Sequence, residues 1–377
     1  MVERELFAAI RKALKPNKVI LLYGARRVGK TFLLKQIVSK YDGKSLLLNG
    51  EDYNVQKMLE EQSANNYKRL FKNVDLLVID EAQSIPDIGM KLKLMVDEIA
   101  GIKIIASGSS SFNLNNKAGE PLVGRKRQFL LPTFSERELS KNKSGFEIRE
   151  SLESRLIYGS YPEVVTMEDT QDREDYLREI VDSYLLKDIL AFDGIKNSSK
   201  MKQLLQMIAF QLGNEVSYDE LGTALSLSKN TVEKYLDLLS KTFVLFRLGA
   251  YSKNLRKEVS KSGKWFFCDV GIRNALISDF KPLALRNDIG HLWENFFISE
   301  KIKNAENSQT AAEFFFWRTY DKQKIDLLEL RKESLSAYEV KWGNKKAVLP
   351  GVFAKAYPQA DFQLVNRENY QDLLLVP

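Results

Sequence analysis

Gly24-Ala25-Arg26-Arg27-Val28-Gly29-Lys30-Thr31 has the spacing G-x-x-x-x-G-K-[ST], between the apolar run Val19–Tyr23 and the helical segment FLLKQIVSK. In that setting the glycines let the backbone curl so that N–H groups and a helix N-terminus face phosphate oxygens. Lys30 would balance β/γ-phosphate charge, and Thr31 would offer its hydroxyl to Mg²⁺. The expected cofactors are therefore ATP and Mg²⁺, held by residues 24–31 together with Phe32.

Leu76-Leu-Val-Ile-Asp80-Glu81 is an apolar strand ending in two carboxylates. Asp80 is placed to hold the metal, and Glu81 to polarise an attacking water. The run KIIAS then ends in Ser107-Gly-Ser109-Ser110, putting hydroxyls at the edge where ligands of open α/β sheets gather. Ser109, ahead of Ser107, is the expected sensor of the γ-phosphate. His291 is the only histidine, so a His-dependent triad is excluded and acid–base work falls to carboxylates and lysines.

A second set of carboxylates lies near the other end. Asp326 is in the strand-like KIDLLEL, and Glu339-Val-Lys341 in AYEVKW. Strand side chains alternate with period two, so Glu339 and Lys341 share a face. This is the layout of the PD-(D/E)xK nucleases, in which two carboxylates hold Mg²⁺ and the lysine orients or activates water. Upstream, Gly290-His-Leu-Trp-Glu294 resembles archaeal Holliday-junction resolvases, which implies Glu294 as a further metal ligand. Ile325 stands where the nuclease signature has proline.

These groups need scaffolds. Val19–Tyr23, Ser45–Leu48, Leu76–Asp80, Ile102–Ser107 and Gln128–Leu131 lack polar alternation, as strands of a parallel sheet buried on both faces do. From about residue 147 to 241 the pattern turns helical. Ser217-Tyr-Asp-Glu220 is a capping box opening one short helix, and Ser228 caps a second, which is helix-turn-helix spacing. Two strands follow around a loop with Lys253, Arg256, Lys257, Lys261 and Lys264, an arrangement that resembles a winged helix. Lys229, Asn230 and Lys234 would face a DNA major groove, and the loop cations its phosphates.

GARRVGKT, LLVIDEAQ and SGSSS followed by PLVGRKRQFLLPTFSERE resemble the AAA+ ATPases of bacteria and archaea. More narrowly, their order is similar to a subgroup whose C-terminal half is a domain of unknown function with a restriction-endonuclease-like core. The resemblance runs nearly end to end. It implies an arginine acting on a neighbouring subunit's nucleotide, with Arg125 the expected residue and Arg127 and Arg137 its rivals, and hence a homo-oligomer.

The fold expected is α/β. A P-loop AAA+ parallel sheet occupies residues 1–140, a helical linker 141–200, a winged helix 201–280, and an α/β restriction-endonuclease-like domain 281–377. A formal net charge of +7 and a pI near 9.1 suit a polyanionic partner. The N-terminal segment reads as an amphipathic helix rather than a signal peptide, no apolar run reaches bilayer length, and a lone Cys268 forms no internal disulfide. The expectation is a cytoplasmic ATPase acting on DNA. Two alternatives stand beside it: a nucleotide-gated switch whose nuclease fold is silent, and an ATP-licensed nuclease.

Overall fold

Val, Ile and Leu fill β1 (Lys18–Tyr23), β3 (Leu76–Asp80) and β4 (Lys103–Gly108), and almost every side chain of the three is buried. The computed structural model, which describes residues 2–109, 122–185, 198–252, 263–319, 321, 323–343 and 346–375, places them at the centre of a five-stranded sheet. Its order is β2-β3-β4-β1-β5, with β2 at Ser45–Asn49 and β5 at Lys126–Leu130. Every pairing is parallel. Burial on both faces holds for the three central strands only. The edge strand β5 leaves Arg127 and Gln128 exposed, which is why its polar start was not legible as strand.

Register decides what this sheet can do. Leu22 pairs with Ser107 and Ile79 with Ala106, so β1, β3 and β4 end together at one sheet edge. The P-loop, Asp80–Glu81 and Ser107–Ser109 all leave from that edge. No helix among the described residues is long and apolar enough to cross a membrane.

The chain divides into two compact units, Met1–Pro132 with Glu306–Ser308, and Thr133–Ala305 with Gln309–Pro377. The segments expected separately at 141–200, 201–280 and 281–377 thus share one unit. Strand pairing is the cause. β6 (Leu245–Ala250) pairs antiparallel with β7 (Lys264–Phe267) and parallel with β8 (Glu313–Arg318). The resulting mixed sheet runs β11-β10-β9-β8-β6-β7, where β9 is Lys324–Arg331, β10 Ser334–Val340 and β11 Asp361–Val365. The helix Ile289–Ser308 is tied to β7 by Asn295, whose amide exchanges two 2.8 Å hydrogen bonds with the Phe267 backbone.

Within the same unit the helices Tyr218–Leu225 and Lys229–Lys241 meet at a tight turn. The Leu227 N–H donates to Gly222 O at 2.8 Å, and a Cβ on Gly222 would lie 2.7 Å from Leu227 O, so only glycine fits. Ser217 and Ser228 cap the two helices as expected. Glu215 bridges Lys264 antiparallel, adding a strand-like contact beside the β6–β7 hairpin.

A buried charged network closes the start of this unit. Ser135 caps the helix Glu136–Ser140, and Glu136 is only 1% exposed. Its N–H donates to Glu300 Oε2 at 2.6 Å, Arg155 Nε stands 3.7 Å from its carboxylate, and Lys303 binds Glu300 at 2.8 Å. Burial pushes the Glu136 carboxyl up to about 7, against the pull of Arg155 and with a further push from Glu300.

Candidate functional site

The P-loop is shaped by backbone needs first. Gly29 adopts φ 93° just before the helix Lys30–Ser39, and a Cβ on Gly24 would lie 2.4 Å from Leu131 O. Lys30 is 5% exposed and donates to Gly24 O and Ala25 O, both at 2.9 Å, so its ammonium lies inside the loop. Val28 is buried, while Thr31 and Phe32 are exposed at the helix start. Arg4 joins the loop from outside the motif. It is buried, and its Nη2 donates to Val28 O at 2.6 Å and Pro132 O at 2.7 Å.

Asp80 is the hub. Thr31 Oγ1 donates to its Oδ2 at 2.5 Å, and Ser107 Oγ donates to its Oδ1. The Glu81 N–H reaches Asp80 Oδ1 at 3.1 Å and Ser107 Oγ at 3.2 Å. Glu81 itself sits at φ 47°, a left-handed conformation uncommon outside glycine, and Gln83 Nε2 holds its carboxylate at 2.5 Å. Gly50 makes room for this turn, since a Cβ there would meet Glu81 O at 2.5 Å. A hydroxyl and a carboxylate in contact at a helix N-terminus are the hard oxygen donors that Mg²⁺ prefers, so Thr31 and Asp80 suit that ion.

Of the two serines, Ser107 is the one that touches Asp80. Ser109 is also buried but lies beyond the end of β4, and Ser110 lies outside the described residues. Ser107→Ala is expected to lower kcat about tenfold with little change in KM, because it strips one hydrogen bond from the buried carboxylate of Asp80. Steady-state ATPase kinetics check this, and an unchanged kcat would remove Ser107 from the machinery.

Arg125 is not beside its own P-loop. It precedes β5 and gives its carbonyl to Val19 at the start of β1, whereas the P-loop follows Tyr23. Four residues of strand at about 3.3 Å each separate the two ends by roughly 13 Å. Its guanidinium pairs with Asp97 at 2.6 Å. Arg127 lies over Phe129, 5.1 Å from the ring centroid, and Arg137 is in the other unit.

In that second unit the C-terminal carboxylates do converge, together with lysines. Lys341 Nζ is 2.5 Å from Glu339 and 3.6 Å from Asp326, and Lys324 is 3.0 Å from Asp326. Lys264 Nζ binds Glu294 at 3.0 Å, both almost fully buried. Burial raises the Glu294 carboxyl, with Lys264 opposing; burial would raise Asp326 also, but Lys324, Lys341 and Lys264 outweigh it and hold it low. Burial and then Asp326 push Glu339 up. His291, beside this cluster, is held low by burial and then by Lys324 and Lys264.

One expectation changes here. Lys264 is buried in an ion pair and against Phe316, so it is not a cation of an exposed loop. Among the described residues no group of three or more of His, Cys, Asp and Glu is gathered as a metal site, and Glu294, Asp326 and Glu339 stand here in ion pairs with lysines. Lysine ammonium groups occupy the positions that would neutralise them.

Lys229, Asn230 and Lys234 are exposed on one helix, but Lys229 pairs with Asp219 at 2.8 Å. Lys253, Arg256, Lys257 and Lys261 lie outside the described residues.

Comparison with known proteins agrees with the first unit's geometry. Residues 16–140 match the family model described as AAA domain, so this stretch is an AAA ATPase domain. Residues 149–283 and 289–369 match two models described as domains of unknown function, DUF8612 and DUF4143. An uncharacterized protein of Mycobacterium tuberculosis is 26% identical over 328 residues, covering 86% of this chain and 70% of that protein. Among solved structures, a Signal Transduction ATPase with Numerous Domains carrying a tetratricopeptide repeat sensor, from Pyrococcus horikoshii, is 13% identical with TM-score 0.32, over 81% of this chain and 47% of that one. RuvB of Thermotoga maritima is 16% identical with TM-score 0.31, over 64% of this chain and 86% of that one.

Proposed function

We propose that the chain is an AAA+ ATPase that hydrolyses ATP with Mg²⁺ and couples turnover to DNA. The observation that carries the ATPase half is the hydroxyl–carboxylate–hydroxyl contact of Thr31, Asp80 and Ser107 next to Lys30. Lys30 neutralises phosphate charge, Thr31 and Asp80 hold the ion that supplies Lewis acidity, and Glu81 orients the attacking water. Arg125, displaced from its own P-loop along the sheet, suits action on a neighbouring copy's nucleotide, which implies a homo-oligomer.

The DNA half rests on the paired helices capped by Ser217 and Ser228, the adjoining β6–β7 hairpin and the basic balance of the chain. Together these read as a winged helix presenting Asn230 and Lys234, with Lys229 partly answered by Asp219. Turnover is expected to rise several-fold with duplex or branched DNA, and the effect to fade as salt increases. Turnover and nucleotide affinity both indifferent to DNA would defeat the coupling.

For the C-terminal sheet, pairing of Glu294, Asp326 and Glu339 with Lys264, Lys324 and Lys341 favours a nuclease-like fold that does not cut. Linear and branched DNA incubated with Mg²⁺ or Mn²⁺ should stay intact. Cleavage lost in Asp326→Ala and Lys341→Ala would reverse that reading.

A further inference from the structure

A cavity of about 580 Å³ opens on the second unit between the helix Gly145–Tyr158, the turn Leu283–Leu285, the start of the helix Ile289–Ser308 and the segments after β10 and β11. That volume lies within the roughly 300–1,000 Å³ typical of small-molecule sites. Its lining combines an aromatic wall, an apolar floor and a charged rim.

Trp342 is the wall. It is half-buried and stands edge-on to Trp293, with ring centroids 5.5 Å apart at 73°. Trp293 is itself fully buried and packed against Phe296 and Tyr370. The indole of Trp342 is therefore set in place by packing rather than free to turn. Leu283 lies on the floor, and its N–H is held by Glu153 Oε1 at 3.1 Å. The charged lining is Arg149 and Arg367 with Glu153 and Glu368, and the Arg367 guanidinium lies over the Trp342 ring, 5.8 Å from its centroid. Gln371 donates to Gly145 O at 3.3 Å, tying two of the cavity's walls together.

An indole packed in place, a guanidinium over its ring and a second arginine in the lining of a cavity of this size suit a planar π-system bearing an anion. We infer that this cavity binds one nucleotide unit, its base against Trp342 and its phosphate between Arg149 and Arg367. The same two elements that line the cavity carry the carboxylate–lysine cluster. Trp342 directly follows Lys341, and Ile289 precedes Glu294 on one helix. A strand seated here would thus pass beside that cluster. The strand form of the inference rests on the DNA reading above, whereas a free nucleotide would use the same chemistry without it.

The test uses the full chain with a thymidine 5′-monophosphate carrying a photoreactive 4-thio group, and with a short oligothymidylate carrying the same base. The monophosphate lacks the β- and γ-phosphates that the P-loop grips. Cross-linking to the peptide holding Trp342 or Arg367 is expected. Trp342→Ala and the double variant Arg149→Ala/Arg367→Ala should each weaken binding about 5- to 100-fold, and Trp342→Phe far less. ATPase turnover without DNA should stay at the parent rate in all three, and an unchanged urea-unfolding transition of the second unit reports that they fold.

Oligonucleotide and monophosphate both captured, or the oligonucleotide alone, supports the cavity as a strand site. Monophosphate alone supports it as a free-nucleotide site and counts against the DNA reading. DNA bound with parental affinity by Trp342→Ala, and no cross-link in the cavity, overturns the inference and leaves the DNA reading intact. Neither ligand bound by the parent chain overturns both.

Discussion

Lys30→Ala is expected to lower ATP turnover by at least about 100-fold, since one preorganised donor aimed at developing transition-state charge contributes on that scale. The location of the ammonium makes the effect specific. Lys30 is buried, and its ammonium donates to Gly24 O and Ala25 O inside the loop. Phosphate release measured with Lys30→Ala, with Glu81→Gln alongside, checks this. Glu81→Gln should keep nucleotide binding while losing turnover, because it removes the group that orients water and leaves the phosphate grip intact. Turnover near the parent rate in Lys30→Ala would dismiss the P-loop as the site of hydrolysis.

The second large effect concerns Glu136. Its carboxyl is raised from 4.5 to about 7, so between those values the folded chain holds a proton that the unfolded chain has released. Stability from this group is therefore full below about pH 4.5 and is lost as pH rises toward 7. A shift of this size amounts to on the order of 3 kcal/mol. Glu136→Gln mimics the protonated form and should flatten the difference between pH 5 and pH 8. Urea unfolding followed by tryptophan emission reads the right unit, since Trp265, Trp293, Trp317 and Trp342 all lie in the second one. Parent and variant curves that stay parallel across this range would show that Glu136 does not carry the proton.

Some of this was legible in the sequence and some was not, for physical reasons. The P-loop could be read because its turn forbids side chains: Gly24 has Leu131 O where a Cβ would go, and Gly29 needs a positive φ. β3 could be read to the residue, because a doubly buried strand has no polar interruption until Asp80. The choice between Ser107 and Ser109 could not, since the two are two residues apart and only where β4 ends, at Gly108, leaves Ser107 on the strand beside Asp80. Arg4 carried no signal, because its partners are backbone carbonyls 24 and 128 residues away. Lys264 misled for the opposite reason. A lysine at the edge of a basic loop looks solvated, and nothing local announces Glu294 thirty residues on.

Lys264 and Asn295 both link β7 to the helix Ile289–Ser308, one reason the segments before and after residue 280 do not part.

The pairing of β6 with β8 limits how this chain can be dissected or recombined. A cut near residue 280 would separate strands that share a ladder at Gly249–Phe315 and Ala250–Phe316, stripping each fragment of its neighbour. Both pieces would then present an unpaired strand edge, that of β8 carrying Phe314, Phe315 and Phe316, a template for self-association. Fragments made to isolate the six-stranded sheet should therefore begin no later than the Ser198–Phe210 helix, and gene fusions that swap only the last hundred residues should yield insoluble protein.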